Sequence, residues 1–120
     1  MSYTLSFPQP PSSNRMWRSV GGLKARHYRS PLYETFCAAV GWECKARKVK
    51  KIEGEIHVDI IWYRAKRIGD ADNRIKPILD ALQGFAYKDD KQVIKVCIEK
   101  IDGHEKKGTV QVKIEQHVGG

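Results

Sequence analysis

The sequence predicts a single α+β domain in which a mixed sheet carries two helices, in the order β-α-β-α-β-β. Three observations lead there. Apolar residues alternate with period two in four short stretches, and two longer stretches repeat them at helical spacing. The chain of 120 residues is one domain's worth, long enough to bury roughly two-thirds of the surface its unfolded form exposes. Two helices among four strands are too few for a doubly wound sheet and suit a mixed layer. No linker or internal repeat divides the chain, so the domain is expected to span 1–120.

Tyr3, Leu5 and Phe7 alternate with small polar residues and read as a first strand, ended by Pro8, Pro10 and Pro11. Residues 8–29 read as a long loop, Pro-rich and then basic (Arg15, Arg18, Lys24, Arg26 and Arg29) around a hinge-like Gly21-Gly22. Long loops in compact domains are usually functional or mobile. Ser30 reads as an N-cap with Pro31 at the first helical position, and Leu32, Phe36, Ala39 and Val40 follow at helical spacing, which predicts a helix over about 30–46. Lys45, Arg47, Lys48, Lys50 and Lys51 close it, either as a solvated terminus that complements the helix dipole or as phosphate contacts.

Over residues 55–63, Ile56, Val58, Ile60 and Trp62 share one face, while Glu55, His57, Asp59, Ile61 and Tyr63 share the other. This is a strand, with His57 facing outward rather than toward a metal. Arg64, Lys66 and Arg67 follow, and then a second amphipathic helix over about 72–83 with Ile75, Ile78, Leu79 and Leu82 on its apolar face. Ile94, Val96 and Ile98 alternate again, as do Val110, Val112 and Ile114; the polar, Gly-containing residues 102–108 between them predict a hairpin.

The net charge of +8 is unevenly placed: residues 1–67 hold thirteen Lys/Arg against five Asp/Glu, and residues 68–120 hold nine of each. A one-sided basic field either serves solubility or draws a polyanion and holds it through released counterions. No apolar run approaches the ~20 residues that cross a bilayer, and the beginning of the chain lacks signal-peptide character, so a cytoplasmic protein that does not enter membranes is expected. Cys37, Cys44 and Cys97 form no CxxC unit and read as reduced core thiols. The four histidines, at 27, 57, 104 and 117, lack the helical spacing that holds zinc.

Acidic residues of the second half cluster where chemistry is possible. Gly69-Asp70-Ala71-Asp72-Asn73 sits where a strand hands over to a helix, and in extended backbone residues 70 and 72 project to the same side. Two carboxylates ~4 Å apart repel by about 4 kcal/mol at an effective dielectric of 20, so an ionised pair needs a cation or a proton. Oxygen-only ligands select magnesium or manganese over zinc. Capping by Asp72 or Asn73 explains one acidic residue here but not Asp70 as well. Lys76 and Asp80 continue from Asp72 along one helical stripe, as a surface ion-pair ladder also would. Pro77 requires the helix to begin late or bend. Asp89 and Asp90 are either a turn or, with the helix folding the two loops together, the source of a third metal ligand.

At these residues the sequence closely resembles the RusA family of Holliday junction resolvases, metal-dependent endonucleases of phages and prophages. The resemblance lies in Asp70-Ala71-Asp72-Asn73-Arg74-Ile75-Lys76, then Asp80-Ala81-Leu82, then Asp89-Asp90-Lys91-Gln92-Val93, with Pro10-Pro11-Ser12-Ser13-Asn14-Arg15 similar to the family's N-terminal motif. It implies that Asp70, Asp72 and Asp90 ligate magnesium, with Asp89 the alternative member of its pair, and that Lys76 matches a functionally important lysine. Gly69 stands where a basic residue can precede the first aspartate in the family, and Lys66 and Arg67 lie close by.

The activity so implied is hydrolysis of DNA phosphodiesters at four-way junctions, in recombination and repair, with Mg2+ or Mn2+ and no organic cofactor. DNA contacts are expected from Arg15, Arg18, Lys24, Arg26, Arg29, Lys48, Lys50, Lys51, Lys66 and Arg67. Paired incision requires two sites, which a homodimer supplies by symmetry. Trp17 and Tyr28, near the first strand, are candidates for its interface or for stacking on unpaired bases. The competing readings are a non-catalytic DNA-binding module and a general flap or fork nuclease.

Overall fold

The four alternating stretches pair into one mixed sheet. The structure is a computed structural model that describes residues 2–12, 17–20, 26–66 and 71–117, with backbone alone for 17–20, 26–29 and Asp72. Its elements are β1 (Ser2–Pro8), β2 (Trp17–Val20), β3 (Arg26–Arg29), α1 (Pro31–Ala46), β4 (Ile56–Tyr63), α2 (Asp72–Leu82), β5 (Val93–Ile101) and β6 (Thr109–Gln116). The main sheet runs β1-β6-β4-β5, with β4 and β5 parallel and the other two pairings antiparallel. The α+β class and the element order follow the sequence reading. Part of what reads as a loop over 8–29 is instead a two-stranded ribbon of β2 and β3.

Register aligns the apolar positions into rows: Tyr3, Ile114, Val58 and Val96 in one, and Leu5, Val112, Ile60 and Ile98 in the next. Both helices contribute to the same core, α1 through Tyr33, Phe36, Val40 and Cys44 and α2 through Ile78, Ala81 and Leu82. The opposite face carries Thr4, Lys113, Asp59 and Cys97 in one row and is polar. His57 points to that face, as its alternation predicts.

The expected hairpin of β5 and β6 does not form. An intervening helix makes β5 parallel to β4, and β6 then enters on the far side of β4, beside β1. Burial explains the choice. Val110, Val112 and Ile114 of β6 are fully buried, whereas β5 exposes Lys95, Glu99 and Lys100 and suits an edge. The connection crosses the C-terminal end of β4, where the Gly108 amide donates to the Tyr63 carbonyl at 2.7 Å and His104 lies against the Tyr63 ring.

Helix α1 begins as expected, with Ser30 Oγ accepting from the Tyr33 amide at 3.1 Å and Pro31 in the first turn. Its buried face is rotated from the one the sequence suggests. Leu32 is 58% exposed and walls a groove of about 330 Å³ with Pro8, Pro10 and Pro11, while Tyr33 takes the core position. The helix ends in paired backbone bonds, Lys48 N to Lys45 O and Val49 N to Cys44 O, with Lys48 at φ 54° in the left-handed position such an ending requires. The expectation of core thiols holds for Cys44, whose burial pushes its thiol up to about 11. It fails for Cys97, which lies exposed on the polar face of the edge strand.

Candidate active site

Asp72 and Asp90 lie at opposite ends of α2. Asp72 is the first residue of the helix, and Ala71, which offers no side-chain acceptor, holds the N-cap position. Asp72 is therefore not the N-cap of this helix. Residues 67–70, with Asp70 and Arg67, and the Asp72 side chain fall outside the described residues. The helix runs through the buried Pro77 and ends at Leu82, one residue before the expected boundary.

Beyond that end, the chain turns at Gly84, whose φ of +95° suits a residue without Cβ. Tyr87 is fully buried and donates its hydroxyl to the Leu79 carbonyl at 2.6 Å. Burial, followed by the charges of Asp90 and Asp80, pushes its pKa up and keeps it a neutral donor. The next residues form a single 3-10 turn, Asp90–Gln92.

Gln92 builds this turn. Its Oε1 accepts from the amides of Lys88 and Asp89, each at 3.0 Å, and its Nε2 donates to the carbonyls of Ile52 and Gly54. Asp89 completes the reciprocal cap by accepting from the Lys91 amide at 2.9 Å. That amide holds the Asp89 carboxyl below its ordinary range. A lowered folded-state pKa means that this contribution is intact at neutral pH and fades as acid protonates the group. Both aspartates are exposed, but the Asp89 carboxylate is engaged in the turn, whereas Asp90 donates its amide to Gln83 Oε1 at 3.3 Å.

Two rulers measure the separation. Eleven helical residues at 1.5 Å each put Asp72 about 15 Å from Leu82 along the axis. On the sheet, Arg74 lies 4.9 Å over the Trp62 ring, while Val93, just after the turn, pairs with Ile56. Trp62 lies six positions along β4 from Ile56, about 20 Å. One copy of the chain thus holds Asp72 and Asp90 apart by far more than a shared metal ion allows, since ligand oxygens lie ~2.1 Å from magnesium.

Lys76 lies between the two ends, mostly exposed and 3.4 Å from Asp80, the i+4 pairing expected of the stripe. The basic residues also divide. Lys50 donates its amide to the Tyr3 hydroxyl, and the Ile52 amide donates to the Ala86 carbonyl, which places exposed Lys48, Lys50 and Lys51 at the Asp90 end. Lys66 is exposed at the other end, where Arg64 forms a two-pronged pair with Asp102 at 2.7 and 2.6 Å. The Asp102 hydrogen bonds push the Arg64 pKa up. Side chains of Arg15, Arg18, Lys24, Arg26 and Arg29, and of Trp17 and Tyr28, lie outside the described residues.

Among the described residues, no three His, Cys, Asp or Glu side chains group closely enough to hold a metal ion. The donors available at either end of α2 are carboxylates, hard ligands that suit magnesium or manganese. Sequence reasoning assigned no role to Gln83, Gln92 or the Arg64–Asp102 pair. The spacing of Asp89 and Gln92 is that of a capping box, a signal by which Gln92 is recognisable. No helix among the described residues is long and apolar enough to cross a membrane. A protein-family model described as endodeoxyribonuclease RusA matches residues 8–115. No curated protein matches the chain.

Proposed function

The chain belongs to the RusA family of endodeoxyribonucleases, and on that premise we propose that it is a magnesium-dependent enzyme that resolves four-way DNA junctions in recombination and repair. The match across nearly the whole chain carries this reading, together with carboxylates at the positions whose chemistry a metal-dependent nuclease needs. Asp70, Asp72 and Asp90 would hold the ion. When bound, it supplies a lowered water pKa and takes up charge on the phosphoryl oxygens. Lys76 contributes a cation toward the developing oxyanion or leaving group. Asp89 serves by shaping the turn that presents Asp90.

The separation along α2 implies that this ligand set is completed between two copies, Asp90 of one meeting Asp70 and Asp72 of the other. Two-fold symmetry then creates the reciprocal site at the same time. Each site also gathers both basic groups, Lys48, Lys50 and Lys51 from one copy and Lys66 from the other. A dimer built this way provides the paired incisions that a four-way junction requires. The test is cleavage of four-way, forked and linear DNA with and without magnesium, read on denaturing gels. Equal cutting of all three would make the protein a general nuclease, and binding without cutting would make it a DNA-binding module.

Two further outcomes are expected. Substituting Lys48, Lys50 and Lys51 together with glutamine weakens junction binding and reduces its salt slope by about 0.9 for each phosphate no longer neutralised. A titration at several salt concentrations measures this, and an unchanged slope would return the run to plain solvation. Lys76→Ala lowers single-turnover cleavage by about 10²-fold with little loss of affinity, because its charge is needed chiefly in the transition state. A loss confined to affinity would make Lys76 a ground-state phosphate contact.

A further inference from the structure

We infer that Gln9 is a positioning residue for the carboxylate segment, acting with Pro10 and Arg74 to pin that segment at both ends. This rests on the proposed function, since it assigns the support of the same site.

The upstream end is held by the Gln9 side chain. Its Oε1 accepts from Trp62 Nε1 at 3.0 Å and from the Ala65 amide at 3.4 Å, just where the chain leaves β4. The downstream end is held by the next residue, because the Pro10 carbonyl accepts from Arg74 Nη1 in the first turns of α2. The same guanidinium lies 4.9 Å over the ring of Trp62, which is only 1% exposed. Residues 66–73, and with them both Asp70 and Asp72, lie between these two anchors.

The anchor itself is stiff. The Gln9 amide donates to the Gly108 carbonyl at 2.9 Å, extending the β1 pairing by one residue. Pro8, Pro10 and Pro11 surround Gln9 and fix φ on either side, lowering the entropy lost when the stretch is ordered. The arrangement also answers a local need of α2. Ala71 at the cap position offers no side-chain acceptor, and Arg74 ties the first turns of α2 to the Pro10 carbonyl. Two neighbouring carboxylates that repel each other require such external support to hold a common geometry.

Gln9→Met keeps the length of the side chain and removes its acceptor, whereas Gln9→Glu keeps an acceptor oxygen. A comparison variant, Lys113→Gln, removes the ion pair with Glu115 on the polar face at mid-sheet, away from both ends of α2. Each full-length variant is assayed for four-way junction cleavage over a magnesium titration, for metal-free junction binding and for amide hydrogen exchange at Ala65. For Gln9→Met, the magnesium concentration giving half-maximal cleavage rises about ten- to a hundredfold, as for the loss of an outer partner of a metal ligand. Its Ala65 exchange accelerates about tenfold, as for the loss of one hydrogen bond, while metal-free binding stays unchanged. Gln9→Glu behaves as wild type in both. The inference is overturned if Gln9→Met keeps the wild-type magnesium dependence, with or without faster exchange, or if Lys113→Gln shifts it equally. Wild-type protein that fails to cut at any magnesium concentration would instead refute the proposed function.

Discussion

Asp72→Asn and Asp90→Asn each lower junction cleavage in magnesium by on the order of 10³-fold, while metal-free junction binding is retained or tightened. The asymmetry follows from charge. Asparagine removes a ligand that the ion needs and, at the same time, a negative charge that repels the DNA phosphates. Asp70→Asn behaves in the same way. Asp89→Asn is much milder, because the Asn side-chain oxygen still accepts from the Lys91 amide and preserves the turn. Single-turnover cleavage with binding measured in parallel provides the check. Near wild-type turnover by Asp72→Asn or Asp90→Asn would remove that residue from the site.

The second large effect is recovery of activity by mixing two inactive proteins. In a site shared between copies, a dimer of one Asp72→Asn chain and one Asp90→Asn chain has both substitutions in one site and neither in the other. Random pairing of equal amounts then leaves about a quarter of all sites intact. Co-expressed or subunit-exchanged variants should accordingly nick four-way junctions well above either variant alone. They nick without resolving them, because each active dimer has one competent site. If the carboxylates instead assembled within one chain, every site in the mixture would carry a substitution. Mixtures as inactive as their components would therefore exclude the shared site and would leave the carboxylate assignments to the single-variant measurements.

Much of the fold was legible because local signals agreed with the tertiary outcome. Ser30-Pro31 marks the start of α1 through an oxygen acceptor and a residue with no amide to satisfy. The alternation of residues 56–63 marks β4 because one face is buried and the other is not. The ribbon of β2 and β3 escapes a period-two reading because that reading depends on apolar contrast, and Trp17–Val20 and Arg26–Arg29 are largely polar or basic. Leu32 is misplaced by sequence because hydrophobicity alone does not set the phase of a helix face. Tyr33 and Phe36 pack as stacked rings 6.5 Å apart, and Phe36 meets Phe7 edge-on at 5.5 Å, which turns Leu32 outward.

Sequence by itself determined the element order and the family resemblance, because each is carried by neighbouring residues or by spacing along the chain. Tertiary structure alone decided three other matters. It put β6 between β1 and β4, since only the assembled sheet sets which apolar strand is buried on both flanks. It made Asp89 the cap of the 3-10 turn, because a capping box depends on which side chain reaches back to which amide. It also separated Asp72 from Asp90: proximity of two loops joined by a helix is expected from sequence, but the rigid rise of α2 keeps its ends apart.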